Sequence, residues 1–532
     1  MHVIDYQLDN QFMLNTQPTM SFHDFHLGGK PLFTHCDSDF GNFLRECLQF
    51  WEDTPLVREA VEKNLRVDAL ASKHERRLQE RDALLESTRL WDCEEAEGLP
   101  QACSMELQTG RPRMPAKMVF LFCMIRGWFG SVCSAKVRDW MIESNTLGCI
   151  LDEHGMRRPG ITTILENINV ISEQTLRLIH RLHLRRLAGE GLDDFADQSV
   201  DSTSVEASSA WPTDSKLIYK FLRRAVSMSS KLGAYGFADL SSRCIERWLE
   251  DIRKADFEIA MASGKAGAAR QRRNGYRRVG VCASKILERL IKKVSRLLEE
   301  LPGKTDLTPL RREACRALLN QIAEDLVMAS RKMKQASERV ENGIKAKVQE
   351  RILSVADQSA VFIVKGEREP VLGYKPQLAR SKKGLVTALI IEEGNGSDSK
   401  ALVPLVKESM SNTNRPIITV TADDGYSSSE GLEEVRSLGV EKVSISGAKG
   451  RRLLGEELWH DEEYQRLRND RSPVESLMFV LKYSFAFDRM GRRGIESVRK
   501  EMYEKVLAYN FARVLLLRSR EQRGPPGACQ AA

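Results

Sequence analysis

No apolar stretch in the 532 residues is long enough to cross a bilayer. The longest, Met118 to Ile125, has eight residues, where a spanning helix needs about 20. No Cys-x-x-Cys pair occurs among the eleven cysteines, and no spacing suits a zinc knuckle. Eleven is odd, so at least one thiol has no partner within the chain, and a reducing compartment is expected. The opening MHVIDYQLDN carries acids and no apolar core, so no signal peptide is expected. No Gly-rich loop ends in Gly-Lys-Ser/Thr, so nothing points to ATP use. His180 and His183 share a helical segment, but no His-Glu-x-x-His motif or third ligand accompanies them. Gly and Pro, 35 and 17 residues, are too few for a collagen-like or linker-dominated chain. These absences together predict a soluble intracellular protein.

What is present is core-forming material, 42% hydrophobic, with 29% charged residues and a net charge of +7. The pattern over 44–90 is helical and charged. From Pro115, short helical segments broken by Gly and Pro follow, one carrying Met118, Val119, Phe122 and Ile125 up to Gly127 and Gly130. Another is capped at Ser134, and a longer one at Ser172 carries Leu176, Ile179, Leu182 and Leu187. This texture suits a helix-turn-helix-like DNA-binding region over 111–190 or an all-helical packing domain, after a helical region 1–110. At 195–207, FADQSVDSTSVEA alternates and is expected to be one strand. A helical insertion over about 214–355 follows. Strands are then expected at 360–365, 370–378, 385–391, 416–422 and 440–445. Helices are expected at 399–410, 427–438, 472–487 and 495–517, with a disordered tail over 521–532. The plan is α/β: a mixed sheet whose first strand is followed by a long helical insertion, within a domain spanning 191–520.

Parallel strands joined by helices put ligands at their carboxyl ends. Three acids fall there: Asp201 in the first strand, Asp423 after IITVTA, and Glu475 at the start of SPVESLMFVLK. Each also has a plainer reading. Asp201 has many arginines to pair with, Asp423-Asp424-Gly425 suits an ordinary turn, and Ser472-Pro473-Val474-Glu475 is a capping box. A capping box does not explain Lys482, two turns along the face of Glu475. Two like charges 4 Å apart repel by about 4 kcal/mol at an effective dielectric of 20, so clustered carboxylates need a cation. Hard divalent ions such as Mg²⁺ meet that need, and a two-metal site activates a hydroxyl and stabilises a leaving oxygen at a phosphodiester.

The chain resembles bacterial insertion-sequence transposases of the DDE type. The resemblance lies in Asp201-Ser202-Thr203 with Glu206, Pro212-Thr213-Asp214-Ser215, VFIVKGEREPVLGYKPQLA, Asp423-Asp424-Gly425-Tyr426, and Arg471, Glu475 and Lys482. The last three match the spacing of the family's Tyr-Arg-Glu-Lys signature, with Arg468 at the Tyr position. The resemblance implies an RNase H-like catalytic core in which Asp201, Asp423 and Glu475 hold two Mg²⁺ (or Mn²⁺) ions. It also implies that Arg471 and Lys482 contact phosphate, and that the enzyme cuts DNA at terminal inverted repeats and joins the 3′-OH to target DNA. A dimer or higher oligomer on DNA, in the bacterial cytoplasm at the nucleoid, is expected with no membrane partner.

Residues 264–296 hold eleven Lys or Arg, among them Arg272, Arg273, Arg277 and Arg278, against Glu288 alone. Phosphate binding is the expected use of that block. Lys382 and Lys383, near Arg380 at a hairpin turn, are read the same way. Two other readings stay open: a non-catalytic DNA-binding descendant of a transposase, and a metal-dependent DNA nuclease without strand transfer.

Overall fold

The structure, a computed structural model, describes residues 39–66, 114–130, 144–153, 155, 159–209, 213–262, 267–344, 353–355, 357, 359–364, 369–469, 471 and 473–523. The chain divides into two compact units, one made of 1–68, 110–208 and 359–532, the other of 69–109 and 209–358.

The first unit opens with helices α1 (Asp39–Asp53), α2 (Ala116–Trp128), α3 (Asn145–Glu153), α4 (Ile161–Ile168) and α5 (Glu173–Gly189). Every residue of α2 from Met118 to Trp128 is buried, as expected of a helix apolar on all sides. Gly127 does not interrupt it. A Cβ there would sit 2.1 Å from the Glu504 carbonyl oxygen, so Gly127 marks a close helix–helix approach. Ser172 caps α5, its Oγ accepting from Thr175 N at 3.1 Å. The Ser134 cap lies outside the described residues.

Strands β1 (Asp197–Ser202) and β2 (Val205–Glu206) replace the single strand expected over 195–207. Phe195 has φ +60°, with its N–H donating to Asp193 Oδ1, so the strand starts later. Thr203 N donates to the Pro376 carbonyl, and the chain then leaves one sheet for another. Pro376 offers no N–H to continue the first ladder.

The second unit is all helical among its described residues: α6 (Asp214–Ser229), α7 (Arg243–Met261), α8 (Ala268–Glu300) and α9 (Pro309–Asn342). It has its own core, including Phe221, Leu222, Ile245, Leu249, Leu290, Leu319 and Ile322. Thr213 caps α6 through Lys216 N, Asp214 pairs with Lys332 and Arg339, and Ser215 donates to Asp256. The Thr213-Asp214-Ser215 motif thus holds helices together. Ser209 Oγ donates to Ser354 Oγ at 2.9 Å, so the two ends of the 209–358 segment of this unit come together.

Back in the first unit come β3 (Val361–Ile363), β4 (Val371–Tyr374), β5 (Gln377–Ser381), β6 (Val386–Ile390), α10 (Asp398–Thr413), β7 (Thr419–Ala422), α11 (Ser429–Ser437), β8 (Lys442–Ile445), α12 (Ala448–His460), α13 (Glu462–Asn469), α14 (Pro473–Ser484) and α15 (Ile495–Arg523). The segment expected as one strand over 370–378 divides into β4 and β5. Helices α12 and α13 occupy a stretch expected to be loop, where Gly447, Gly450 and Gly455, the last at φ +79°, break the helical periodicity.

The main sheet has the order β6-β5-β1-β7-β8, with β1 parallel to β7, β7 parallel to β8, and β5 antiparallel to both β1 and β6. This is the mixed sheet of an α/β, RNase H-like fold. Val200, Val420, Ala422 and Val443 face a core with Leu402, Leu405 and Val406 of α10 and Leu432 and Val435 of α11. A second sheet has the order β2-β4-β3. A Cβ on Gly373 would come within 1.8 Å of the Val205 carbonyl oxygen, so only glycine permits that pairing.

Candidate active site

Ser199 and Thr421 are register partners on the parallel strands β1 and β7, and Thr421 Oγ1 donates to Ser199 Oγ at 2.9 Å. Their side chains therefore share a face. Two residues further on, the period of two puts Asp201 and Asp423 on that same face at the carboxyl ends of adjacent strands. Asp201 is only 7% exposed, and its Oδ1 accepts from Ser202 N at 2.7 Å. Asp423 Oδ1 accepts from Gly425 N at 3.0 Å across the turn.

Asp424 points elsewhere. Its Oδ1 accepts from Lys449 N and Gly450 N, at 2.8 and 3.0 Å, at the amino terminus of α12. That is favourable for an anion.

Glu475 lies in the first turn of α14 and is 73% exposed on its side chain. It meets Asp201 through Arg471, whose guanidinium lies 4.0 Å from Asp201 Oδ2 and 3.8 Å from Glu475 Oε1. A cation thus stands between two of the three expected acids. Lys482 is half-buried in the last turn of the same helix. Ser472, the expected cap, lies outside the described residues.

The loop after α14 is fixed by buried charge. Glu501 and Lys505 of α15 pair at 2.9 Å, both fully buried. Glu501 accepts from Gly491 N and Arg492 N, while Lys505 donates to the Ala486 carbonyl at 2.7 Å. Burial pushes the Glu501 carboxyl up, but Lys505 and the two backbone N–H groups outweigh it, leaving the group below its ordinary range. The same loop exchanges backbone bonds with β2, Glu206 N donating to Asp488 O and Met490 N to Glu206 O. Glu206 is an exposed member of that second sheet, so the loop after α14 is tied to β2.

One acid carries no signal in the sequence. Asp398, at the start of α10, lies across Gly425 from Asp423: a Cβ on Gly425 would be 3.0 Å from Asp423 Oδ1 and 3.2 Å from Asp398 Oδ2. Asp398 Oδ1 pairs with Lys375 Nζ at 2.8 Å and accepts from Gln377 Nε2 at 2.6 Å. The buried Tyr426 hydroxyl donates to Gln377 Oε1. Burial and then the charges of Asp398, Asp201 and Asp423 push that hydroxyl far above its ordinary pKa. The tyrosine therefore stays protonated, with three carboxylates gathered near it. Ser397-Asp398-Ser399 reads in sequence as an ordinary helix start, which hides it.

Among the described residues no group of three or more His, Cys, Asp or Glu side chains is arranged to hold a metal ion. The oxygen-only donors suit Mg²⁺ or Mn²⁺ better than zinc. Asp201 and Asp423 carry the oxygen donors that such an ion takes, and Arg471 approaches both Asp201 and Glu475.

Within the first unit, the Lys382–Lys383 turn lies apart from the acids. The β5–β6 turn carrying Lys382 and Lys383 sits at the start of β1, where Lys382 Nζ donates to Asp197 Oδ2 at 3.3 Å. That is four residues, about 13 Å of strand, from Asp201. Arg380 is buried inside β5. Arg468, at the tyrosine position of the signature, stacks its guanidinium 4.0 Å from the Trp459 ring and joins α13 to α12. In the second unit, Arg272, Arg273, Arg277 and Arg278 are exposed on α8. Arg278 pairs with Glu258 at 2.5 Å, and Arg277 approaches Glu341 at 4.0 Å. Lys285 and Arg289 lie over the Trp248 ring.

Residues 357–511 match the family model described as the transposase DDE domain. The matched span contains Asp423, Arg471, Glu475 and Lys482 but begins after β1, so Asp201 lies outside it. The match supports a transposase of the DDE type. No curated protein and no solved structure matches the chain. Among the described residues no helix is long and apolar enough to cross a membrane.

Proposed function

We propose that the chain is an insertion-sequence DDE transposase. It binds the terminal inverted repeats of its element, cleaves DNA there with Mg²⁺ or Mn²⁺, and joins the 3′-OH to target DNA. The observation that carries this reading is the register of β1 and β7, which sets Asp201 beside Asp423 at the carboxyl ends of parallel strands, with Arg471 between Asp201 and Glu475.

In this reading Asp201 and Asp423 hold the metal pair, and Glu475 completes the set when Arg471 turns to DNA phosphate. The metal ions supply charge for the attacking and leaving oxygens of an in-line displacement. The chain's own residues orient that chemistry. Gly425 N holds the Asp423 carboxylate, Ser202 N holds Asp201, and Tyr426, Gln377 and Lys375 fix Asp398 alongside. Arg471 and Lys482 bind phosphate, which positions the strand without reading its sequence. The basic face of α8 and the Lys382–Lys383 turn add sequence-independent contacts. The protein works as a dimer or higher oligomer on DNA, at the bacterial nucleoid in the cytoplasm.

The test is nicking of a duplex carrying the element's terminal repeat by the purified protein, with Mg²⁺ or with chelator. Metal-dependent nicking at the repeat end, followed by joining to a second duplex, is expected. Repeat binding without any nicking would favour a non-catalytic descendant, and nicking without joining a plain nuclease.

A further inference from the structure

The face of α14 that begins with Glu475 carries two large aromatic side chains. Phe479 and Tyr483, four and eight residues on, are 53% and 71% exposed. Their rings lie 4.3 Å apart between centroids, tilted by 35°. Leu477, Met478 and Leu481 are buried on the opposite side of the helix, so the pair adds nothing to the core there. An aromatic pair at this spacing steadies a helix only slightly. Two large rings gathered side by side on an exposed helix face mark a surface that a ligand can cover. The pair is flanked by Arg471 before Glu475 and by Lys482 between the two rings in sequence.

We propose that Phe479 and Tyr483 form a stacking platform for unpaired nucleobases of the DNA strand lying along α14. Every base has a π-face, and aromatic rings interleaved with cations bind single strands with little sequence preference. Arg471 and Lys482 provide the positive charge that a backbone beside those bases needs, and that a purely apolar protein partner would not. The platform rests on the reading of the site as a DNA-cutting centre. It goes further by assigning the strand beside Glu475 a short unpaired stretch.

The experiment compares a blunt duplex with the same duplex bearing a short single-stranded end labelled with 2-aminopurine. The parent protein should quench the probe and bind the single-stranded end more tightly than the blunt one. Phe479→Leu and Tyr483→Leu, both at exposed positions, should melt as the parent does. Each should weaken binding of the single-stranded end about tenfold and abolish quenching, with blunt-duplex affinity unchanged. Tyr483→Trp should restore quenching. Equal binding of both DNA forms by parent and Leu variants overturns the proposal while leaving the cutting activity standing. A change in oligomeric state in the Leu variants, with quenching intact, also overturns it by making the rings a protein interface. Failure of the parent to bind either DNA overturns the functional reading itself.

Discussion

Asp423 and Asp424 are adjacent, but their carboxylates take different partners. Asp424 anchors the amino terminus of α12 through two backbone N–H bonds, so Asp424→Ala should lower stability by about 1 kcal/mol and keep metal-dependent nicking. Asp423→Ala should leave the melting temperature close to wild type and abolish nicking. The reverse pattern in parallel melts and nicking assays would shift the site by one residue. Glu475→Gln separates two roles in the same way. Its ion pair with Arg471 is long, 3.8 Å, and exposed, and such pairs are worth at most about 1 kcal/mol. A near-silent melt with nicking down by orders of magnitude is expected. Near-wild-type nicking would reduce Glu475 to a helix-start residue. The position of both aspartates at a strand end is legible in the sequence, because they directly follow the apolar run IITVTA. Asp398 is not, because its place beside Asp423 depends on a packing of α10 that no local spacing records.

At the scale of the elements, helix α5 is welded to α1 and α15 by a histidine that no longer behaves like one. His183 stacks on Phe511 at 4.0 Å and meets Phe50 edge-on. Among the described residues its ring nitrogens have no hydrogen-bond partner, a cost that is greatest for the charged form. Burial, then the charges of His180, Arg186 and Arg518, hold its pKa well below the ordinary value. His180 is lowered to about 4, by burial first and also by Arg177, against the pull of the Val386 carbonyl. Both rings are neutral in the fold and take up protons on unfolding below about pH 6.5. Their contribution is complete above that pH and is lost as pH falls towards 4, by about 1.4 kcal/mol per pH unit for each ring. His183→Leu should therefore melt more nearly alike at pH 7 and pH 5 than the parent does. An equal pH shift in both would mean that His183 is charged in the fold. Sequence periodicity locates these elements wherever it runs unbroken, in α5, α10, β7 and α15. It fails at 448–469, where glycines interrupt the pattern, and at 195–207, where a turn and Pro376 divide one alternation between two sheets.

For the whole molecule, the proposed function makes the basic block of α8 a lever on DNA affinity. Arg272 and Arg273 are exposed, while Arg278 is already engaged by Glu258. Neutralising Arg272 and Arg273 should lower the log–log salt slope of duplex binding by about 0.9 for each phosphate that is no longer neutralised. Neutralising Arg278 should lower it less. Salt titration of both variants checks this, and an unchanged slope for the first pair would make the face merely solvated. The charge run is visible in the sequence. Its ion pairs are not, because Glu258 and Glu341 come from α7 and α9.

The serine-to-serine bond that joins the two ends of the 209–358 segment gives the gene a hinge for editing. Because Ser209 and Ser354 touch, everything between them is a cartridge whose removal leaves two chain ends already side by side. Replacing residues 210–353 by a few Gly and Ser residues should yield a shorter protein that still melts cooperatively with the circular-dichroism signature of the sheet. Loss of folding would show that the cartridge is structural. Retention would mean that the helical block can be exchanged as one contiguous stretch of coding sequence, leaving the acids of the sheet untouched.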